Sequence, residues 1–257
     1  MTTDQPENKK KRYVTFGERN VPADEKEALV RQVFNSVASR YDIMNDLMSG
    51  GLHRRWKRRL VRAVLEYPVH ELLDLAGGSG DIALSALQRN PNQLGRITVC
   101  DINLEMLMVG QKRAWNSGYL NNLHWTCGNG EQLPFSDAHF DVCTLSFGLR
   151  NMTHPELALA EIYRVLKPGG RLLLLEFTPD IIPALQGFYN LYSSHIIPFV
   201  ARRIMKDAEP YNYLVESIRR FYRSQQITTL LRSRGFVGIR ARALTGGIAS
   251  LHSAWRS

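Results

Sequence analysis

The feature that most constrains this chain is a short apolar run that contains an acid and continues through glycines into a helical pattern. Residues 72–75, Leu-Leu-Asp-Leu, indicate a buried strand, and apolar positions from Ile82 onward repeat at helical spacing. The intervening glycines allow backbone conformations and a close ligand approach that side chains would block. Strand, loop and helix start together predict a nucleotide cradle, in which amide N–H groups meet a polar or anionic ligand. The spacing Gly78-x-Gly80-x-x-Ala83 also fits the loose dinucleotide pattern, which is weak support when taken alone.

Two acids at predicted strand ends distinguish between nucleotide cofactors. Asp74 would repel a pyrophosphate, but it suits a ligand with a positive sulfonium or ammonium group, which indicates S-adenosylmethionine. The next apolar run, 97–100, ends at Asp101, roughly twenty residues beyond Gly80, where an acid can take the ribose hydroxyl pair. The alternative is an Asp74 that caps a loop and an Asp101 on a solvated turn. The agreement of strands, glycines and spacing favours the cofactor interpretation.

Length, charge and cysteine usage limit the classes of protein to which this chain can belong. The 257 residues, 44% of them hydrophobic, suffice for one α/β domain with a sizeable core. A formal charge of +9 fits a nucleic-acid partner, an anionic membrane surface or simply a basic cytosolic protein. Cys100, Cys127 and Cys143 lack C-x-x-C spacing, so we expect reduced core thiols and no metal site. Without a long apolar run or an apolar signal core, the expected location is the cytoplasm, with room for peripheral attachment to the inner face of the membrane.

The order of patterns along the chain predicts an α/β fold with a doubly wound, mostly parallel sheet. Residues 1–22 are polar and basic and are expected to form a mobile arm, and 23–257 a single domain. Within that domain, 23–66 are interpreted as an N-terminal helical cover and 181–206 as a helical insertion that covers the substrate side. Strands are expected over 72–75, 97–100, 123–127, 140–145 and 171–177, and a final pair over 236–244 and 248–255 would place an antiparallel strand in the sheet.

One predicted helix carries an apolar stripe and a strongly basic opposite face. The stripe contains Trp56 and Leu60, and the basic face consists of Arg54, Arg55, Arg58, Arg59 and Arg62. Such a face is either simply solvated or meets anionic lipid head groups. The sequence does not separate these two interpretations.

Further candidate ligands follow two other predicted strands. Asn129 and the backbone of Gly130 come after the third strand, where a polar amide and a turn can receive an adenine edge. Ser146 begins the segment Ser-Phe-Gly-Leu-Arg-Asn after the fourth strand. The carboxyl ends of the strands are where an open α/β sheet binds its ligands.

The residues resemble those of the UbiE-type ubiquinone and menaquinone C-methyltransferases. Residues 41–56 meet the family's Tyr-Asp-x-Met-Asn, Ser and His-x-x-Trp motif in full, and 164–176 meet the second motif, Arg-Val-Leu-Lys-Pro-Gly-Gly and its following strand. That second motif ends in Thr178 in place of serine, which keeps the hydroxyl. The resemblance extends from about residue 27 to the last strand. Gly130 departs from it, because alanine is expected there.

This resemblance implies a class I methyltransferase fold, with seven strands and the last antiparallel, and methyl transfer from S-adenosyl-L-methionine to a ring carbon of a polyprenylated quinol. It implies cofactor contacts at Ser79, Asp101, Asn129 with Gly130, and Ser146, to which the glycine-loop pattern itself adds Gly78 and Gly80. Arg150 matches the family's arginine and could stabilise an oxyanion or polarise a water, with a structural salt bridge as the alternative. His53 is the histidine of the first motif and could be a general base, with a core or capping role about as well supported.

Two other functions compete with this one. A nucleic-acid methyltransferase would account for the charge, but the fourth strand lacks the Asn/Asp-Pro-Pro-aromatic motif used on flipped bases, so we expect no nucleic-acid partner. A non-catalytic, S-adenosylmethionine-binding assembly subunit would act with other quinone-biosynthesis proteins. The expected partners are therefore the quinol, an anionic membrane surface and such proteins; whether the acceptor is a benzoquinol or a naphthoquinol stays open.

Overall fold

A seven-stranded sheet forms the centre of the structure, a computed structural model that describes residues 12–37, 41–119, 121–192 and 209–257. A two-stranded hairpin precedes it along the chain. In chain order the strands are β1 (Tyr13–Phe16), β2 (Arg19–Pro22), β3 (Val69–Leu75), β4 (Leu94–Asp101), β5 (Leu123–Cys127), β6 (Phe140–Ser146), β7 (Leu166–Phe177), β8 (Phe236–Leu244) and β9 (Ala249–Arg256).

The strand order of the sheet is β5-β4-β3-β6-β7-β9-β8. Strands β3 to β7 pair in parallel, whereas β9 lies antiparallel between β7 and β8. This topology confirms the predicted doubly wound, mostly parallel sheet with seven strands and one antiparallel member. The chain reverses its direction of winding between β3 and β6, which is where an open α/β sheet leaves a crevice for ligands.

The helices lie between and around these strands. In chain order they are α1 (Ala23–Val37), α2 (Tyr41–Ser49), α3 (His53–Val64), α4 (Asp81–Arg89), α5 (Leu104–Asn116), α6 (Pro155–Val165), α7 (Pro183–Leu191), α8 (Glu209–Arg219) and α9 (Ser224–Ser233). The predicted cover over 23–66 is thus helical in α1 to α3. In the predicted insertion, 183–191 are helical, while 193–206 lie outside the described residues.

The sheet is covered on both faces because neighbouring side chains along a strand point in opposite directions. On β7, Leu173 and Leu175 belong to one core cluster, and Leu172 and Leu174 belong to the other. The first cluster contains side chains of α3, α4 and α5, and the second contains side chains of α6 and α9. Burial on both faces fixes the strands, so the loops after β3, β4 and β6 meet at one edge.

The prediction of a mobile arm over residues 1–22 is wrong for residues 13–22, which form the β1–β2 hairpin. Gly17 turns the chain at φ +58°, a conformation that glycine adopts without strain. Phe16 is buried and stacks on Tyr213 with ring centroids 4.4 Å apart, and the N–H of Glu18 donates to Glu216 at 2.9 Å. These contacts with α8, which is far away in the sequence, therefore hold in place a segment that is mostly polar. Residues 1–11 lie outside the described residues.

The three cysteines are free thiols in different settings. Cys100 and Cys143 are buried in the sheet, as expected of core thiols. Cys127 is exposed, which corrects the expectation for this residue. It ends β5, and an edge strand has no neighbour to cover its outer side.

Candidate active site

A cavity of about 1080 Å³, including open solvent at its mouth, lies at the carboxyl ends of β3, β4 and β6. Helix α1 covers one side of it through Val30 and Phe34. Six of the residues predicted to hold the cofactor line this cavity: Gly78, Ser79, Asp101, Asn129, Gly130 and Ser146. The structure therefore brings together residues from four separate strand ends, as the sequence predicted.

The glycine loop is shaped by contacts that leave no space for side chains. A Cβ atom on Gly77 would lie 2.7 Å from Cγ1 of Val99 and 2.9 Å from the carbonyl oxygen of Asp74. Gly80 precedes α4 at φ +73°, and a Cβ atom there would lie 2.6 Å from the ring of Trp125. Gly80 does not line the cavity, so its role in this structure is to let α4 begin close to Trp125.

The Asp101 carboxylate is held at the tip of β4 by backbone donors. The N–H of Gly78 donates to Oδ2 and the N–H of Asn103 donates to Oδ1, both at 2.8 Å. Burial raises the pKa of Asp101, while these hydrogen bonds act in the opposite direction. Because each carboxylate oxygen can accept more than one hydrogen bond, a rigidly held carboxylate on the cavity wall fits a ribose hydroxyl pair.

Asp74 presents a buried carboxyl group to the same cavity. Its side chain is fully buried and accepts hydrogen bonds from the Thr144 hydroxyl at 2.8 Å and from the Ala83 N–H at 3.3 Å. Burial raises the pKa of Asp74 to about 7, despite these hydrogen bonds. A positively charged ligand beside it would stabilise the ionised form. The wall thus fits a sulfonium or ammonium group better than a phosphate.

Asn129 joins the end of β5 to the covering helix. Its Oδ1 accepts from the N–H of Glu131 at 2.8 Å, and its Nδ2 donates to Glu27 of α1 at 3.1 Å. A Cβ atom on the neighbouring Gly130 would lie 3.0 Å from Cε of Met152, the tip of a flexible side chain. The alanine that the family resemblance led us to expect would therefore require only a small shift of Met152.

The loop after β6 contains an unusual backbone conformation. Phe147 has φ +58°, which is strained for an aromatic residue, and its carbonyl oxygen accepts from Nη1 of Arg150 at 2.5 Å and from Asn151 at 3.3 Å. The preceding Ser146 has a buried hydroxyl that finds no partner among the described residues. Because Ser146 lines the cavity, a bound ligand could supply that partner.

Arg150 does not line the cavity. Its guanidinium is buried and forms an ion pair with Glu176 at 2.7 Å, in addition to the bond to Phe147. Burial raises the pKa of Glu176, and the positive charge of Arg150 opposes that rise. The structural ion pair weighed as an alternative is thus present. Direct action of Arg150 on an acceptor stays a prediction, since Arg150 itself does not line the cavity and bonds to Phe147, which does.

His53 is also buried away from the cavity wall. Its Nε2 lies 2.9 Å from Oδ1 of Asp46, and its Nδ1 has no partner among the described residues. Burial, followed by the nearby charge of Lys57, lowers the pKa of His53, so the neutral ring is favoured at neutral pH. Its role as a general base stays a prediction that this geometry does not support directly.

Several cavity residues were absent from the sequence-based prediction. They are Glu27, Arg31 and Phe34 of α1, Lys57 of α3, and Asn151 after β6. For α1 the sequence did contain a signal, because the helix has an apolar stripe but no strand comes next in the chain. Such a helix is expected to cover something other than a following strand. Lys57 stands inward of the arginines on α3, and helical spacing could have separated it from them.

The sequence matches a model described as the ubiE/COQ5 methyltransferase family over residues 15–256. It is 46% identical over 256 residues to the ubiquinone/menaquinone biosynthesis C-methyltransferase UbiE of Paracoccus denitrificans, with 100% of both chains covered. It is 47% identical over 241 residues to the protein of the same name from Dinoroseobacter shibae, with 94% of this chain and 96% of that relative covered.

Solved structures resemble the fold at low sequence identity. Human N-acetylserotonin methyltransferase in complex with S-adenosylmethionine matches with a TM-score of 0.60 and 21% identity, over 92% of this chain and 60% of that one. A SAM-dependent methyltransferase from Aquifex aeolicus matches with a TM-score of 0.52 and 14% identity, over 92% and 100% of the two chains. At these identities the likeness shows the fold alone.

Proposed function

The chain belongs to the ubiE/COQ5 methyltransferase family and is a methyltransferase that uses S-adenosylmethionine; we propose that its acceptor is a ring carbon of a polyprenylated quinol. The relatives that cover the whole chain carry the name of a C-methyltransferase of ubiquinone and menaquinone biosynthesis. A benzoquinol, a demethylmenaquinol or both can serve as the acceptor in this proposal.

One observation supports the cofactor site most strongly. Two carboxyl groups, the half-buried Asp101 at the end of β4 and the buried Asp74 near the end of β3, face one cavity beside a loop whose Gly77 has no space for a side chain. Asp101 would take the ribose hydroxyls, Asp74 would favour the positively charged part of the ligand, and Asn129 would lie at the adenine end. The unpartnered hydroxyl of Ser146 supports the same placement.

The reaction requires a positioned nucleophile and a dry site. S-adenosylmethionine, when bound, supplies an electrophilic methyl group on a positively charged sulfur. A quinol ring carbon becomes nucleophilic when the neighbouring hydroxyl ionises, and after the new C–C bond forms the ring proton must leave to a base. Phe34, Phe147 and Met152 form an apolar part of the cavity wall, which suits an aromatic ring. We propose that Arg150 supports this step through the loop at 147, whose conformation its guanidinium holds.

A test in cells separates this function from its rivals. Cells that lack the protein should accumulate a quinone intermediate one methyl group short of the product, detected by mass spectrometry. The wild-type gene should restore the product and the Asp101→Asn variant should not. If the quinone pool is unchanged while RNA methylation falls, the nucleic-acid alternative holds instead. If Asp101→Asn restores the product fully, a non-catalytic assembly role is favoured.

We also propose that the protein attaches peripherally to an anionic membrane, from which so hydrophobic an acceptor must be drawn. No helix within the described ranges is long and apolar enough to cross a membrane. The arginines at 54, 55, 58, 59 and 62 are all exposed on α3. Ile43 on α2, a helix that contacts α3, and Leu191 on α7 are exposed by 46% and 55%, and the Tyr192 hydroxyl next to α7 donates to the carbonyl oxygen of Leu47 on α2. Exposed cations together with exposed apolar side chains are typical of an interfacial surface.

Flotation with liposomes of increasing anionic lipid content tests this attachment. The double variant Arg55→Glu/Arg59→Glu should lose most binding, because each cation near an anionic surface contributes about 1 kcal/mol. The matched control, Arg240→Glu/Arg242→Glu, changes the same charge on exposed positions of β8. An equal loss of liposome binding in both variants would show that binding depends on the overall charge and not on α3. No loss of binding in either variant would contradict attachment through α3. The basic end of the predicted insertion, residues 202–206, lies outside the described residues.

A further inference from the structure

The end of the cavity nearest β3 carries side chains of both charges. Asp74 and Asp81 line it together with Lys57, which reaches in from α3 with only 12% of its side chain exposed. The Lys57 ammonium lies 2.7 Å from Oδ2 of Asp81. Burial raises the pKa of Asp74 to about 7, and the charge of Lys57 acts in the opposite direction, which places that charge within electrostatic reach of the buried carboxyl group.

Asp81 is shared between two cations. Its Oδ1 accepts from Nη2 of Arg113 at 3.1 Å, while Oδ2 accepts from Lys57. Arg113 also donates to the hydroxyl of Ser79 at 2.9 Å, so the glycine loop and both cations belong to one network. Arg113 also neutralises Asp81. Lys57 can therefore donate a hydrogen bond to a ligand while Asp81 keeps a positively charged partner.

We infer that Lys57 binds the α-carboxylate of the methionyl part of S-adenosylmethionine. The inference rests on the cofactor of the proposed function and assigns it a further binding residue. The methionyl part is a zwitterion next to a sulfonium, so its site needs a cation for the carboxylate and negative charge for the ammonium and the sulfur. Lys57 beside Asp74 and Asp81 supplies both charges within one end of the cavity.

Arg31 is the other cation among the described residues of the cavity wall, and its contacts make it less suited to this role. It pairs with Glu27 at 2.6 Å, its side chain is 48% exposed, and Glu27 in turn accepts from Asn129 at the end of β5. Arg31 therefore lies on the α1 side, near the adenine end. Lys57, in contrast, pairs with Asp81 at the β3 end of the cavity, where Asp74 also lies.

A purely structural role for Lys57 makes a different prediction. In that role the Lys57–Asp81 ion pair fastens α3 to α4, and losing it lowers the affinity for every ligand of the cavity alike. In the proposed role the loss depends on whether the ligand has a carboxylate. S-adenosylmethionine and decarboxylated S-adenosylmethionine differ in that group alone, so the pair separates the two roles.

Calorimetric titration of both ligands into wild type and Lys57→Met tests the inference. Wild type should bind S-adenosylmethionine about tenfold or more tightly than the decarboxylated form, as expected for one charge-assisted hydrogen bond. Lys57→Met should lose that preference while its affinity for the decarboxylated form changes less than about twofold. Lys57→Arg should keep part of the preference, and the exposed Lys112→Met on α5 is the matched control that should keep all of it.

Two results would overturn the inference. One is a Lys57→Met variant that binds both ligands more weakly by the same factor or keeps the wild-type preference. The other is a wild type that binds both ligands equally, which needs no variant and holds even if Lys57→Met does not fold. A wild type that binds neither ligand would instead contradict the cofactor of the proposed function.

Discussion

Asp101 is the residue that we propose to hold the ribose of the cofactor. Its two oxygens already accept backbone N–H groups, so Asp101→Ala would leave those donors unpaired as well as remove the ribose contact. Asp101→Asn is the cleaner change, because it keeps the shape and one acceptor. We expect Asp101→Asn to weaken S-adenosylmethionine binding by about 2 kcal/mol without unfolding, measured by calorimetric titration. An unchanged affinity in a folded variant would remove Asp101 from the site.

Arg150 is predicted to be needed for turnover, and its ion pair with Glu176 must be separated from that role. Arg150→Met alone leaves a buried carboxylate unpaired and should cost about 3–5 kcal/mol of stability. Arg150→Met with Glu176→Met removes both charges and should recover much of that stability. We expect the double variant to bind cofactor normally yet to show little methyl transfer in a single turnover. A rate within a few-fold of wild type would show that the arginine is only structural.

Asp74 should make stability depend on pH in a defined direction. Burial raises the pKa of Asp74 from 3.8 to about 7, so the folded protein holds a proton that the unfolded chain releases between these values. Its contribution to stability is therefore full below about pH 4 and is lost as the pH rises through 7. Relative to Asp74→Asn, wild type should lose a few kcal/mol of unfolding free energy between pH 4 and 8, measured by urea denaturation. Parallel pH profiles of the two proteins would contradict an elevated pKa.

Some candidate residues could be predicted because their position depends on nearby sequence, and others could not because it depends on residues far away in the sequence. Asp101, Asn129 and Ser146 could be predicted because each stands at the end of an apolar run, and the end of a parallel strand is a local signal. The burial of Arg150 could not be predicted, since it depends on Glu176 from a neighbouring strand. The inward position of Lys57 on α3 had a local signal in its helical spacing, but its ion pair with Asp81 of the next helix had none.

At the scale of elements, two glycines after strand ends should respond differently to alanine. Gly80 has φ +73° and no space for a side chain beside Trp125, so Gly80→Ala should cost at least about 1–2 kcal/mol and weaken cofactor binding by displacing α4. Gly130→Ala meets only the tip of Met152 and should leave stability and binding nearly unchanged. Thermal unfolding and calorimetric titration of both variants test this contrast. Similar effects at the two positions would mean that the loop geometry described here is wrong.

The strands of the sheet and the helices packed on it could be predicted from the periodicity of apolar residues, because each buries a regular apolar face against its neighbours. The β1–β2 hairpin did not follow, since its strands are short and polar apart from Phe16, whose partner is Tyr213. Helix α8 lay outside the predicted elements as well. Both elements pack against α1 as well as against each other, and contacts between such distant segments leave little trace in either segment alone.

At the scale of the whole molecule, the net charge of +9 was compatible with several partners and decided nothing by itself. The fold leaves the five arginines of α3 exposed, and it also exposes apolar residues on α2 and α7. The same fold brings the strand-end acids into one cavity, which no single segment of the sequence could show.

Single-turnover methyl transfer with purified protein shows whether this cavity methylates a quinol carbon. The protein would be mixed with S-adenosylmethionine and vesicles that hold a reduced polyprenylated benzoquinol or naphthoquinol. We predict that wild type forms a quinol one methyl group heavier and an equal amount of S-adenosylhomocysteine from at least one acceptor, and that Asp101→Asn is strongly impaired. A wild type that binds S-adenosylmethionine but methylates neither quinol would contradict the account.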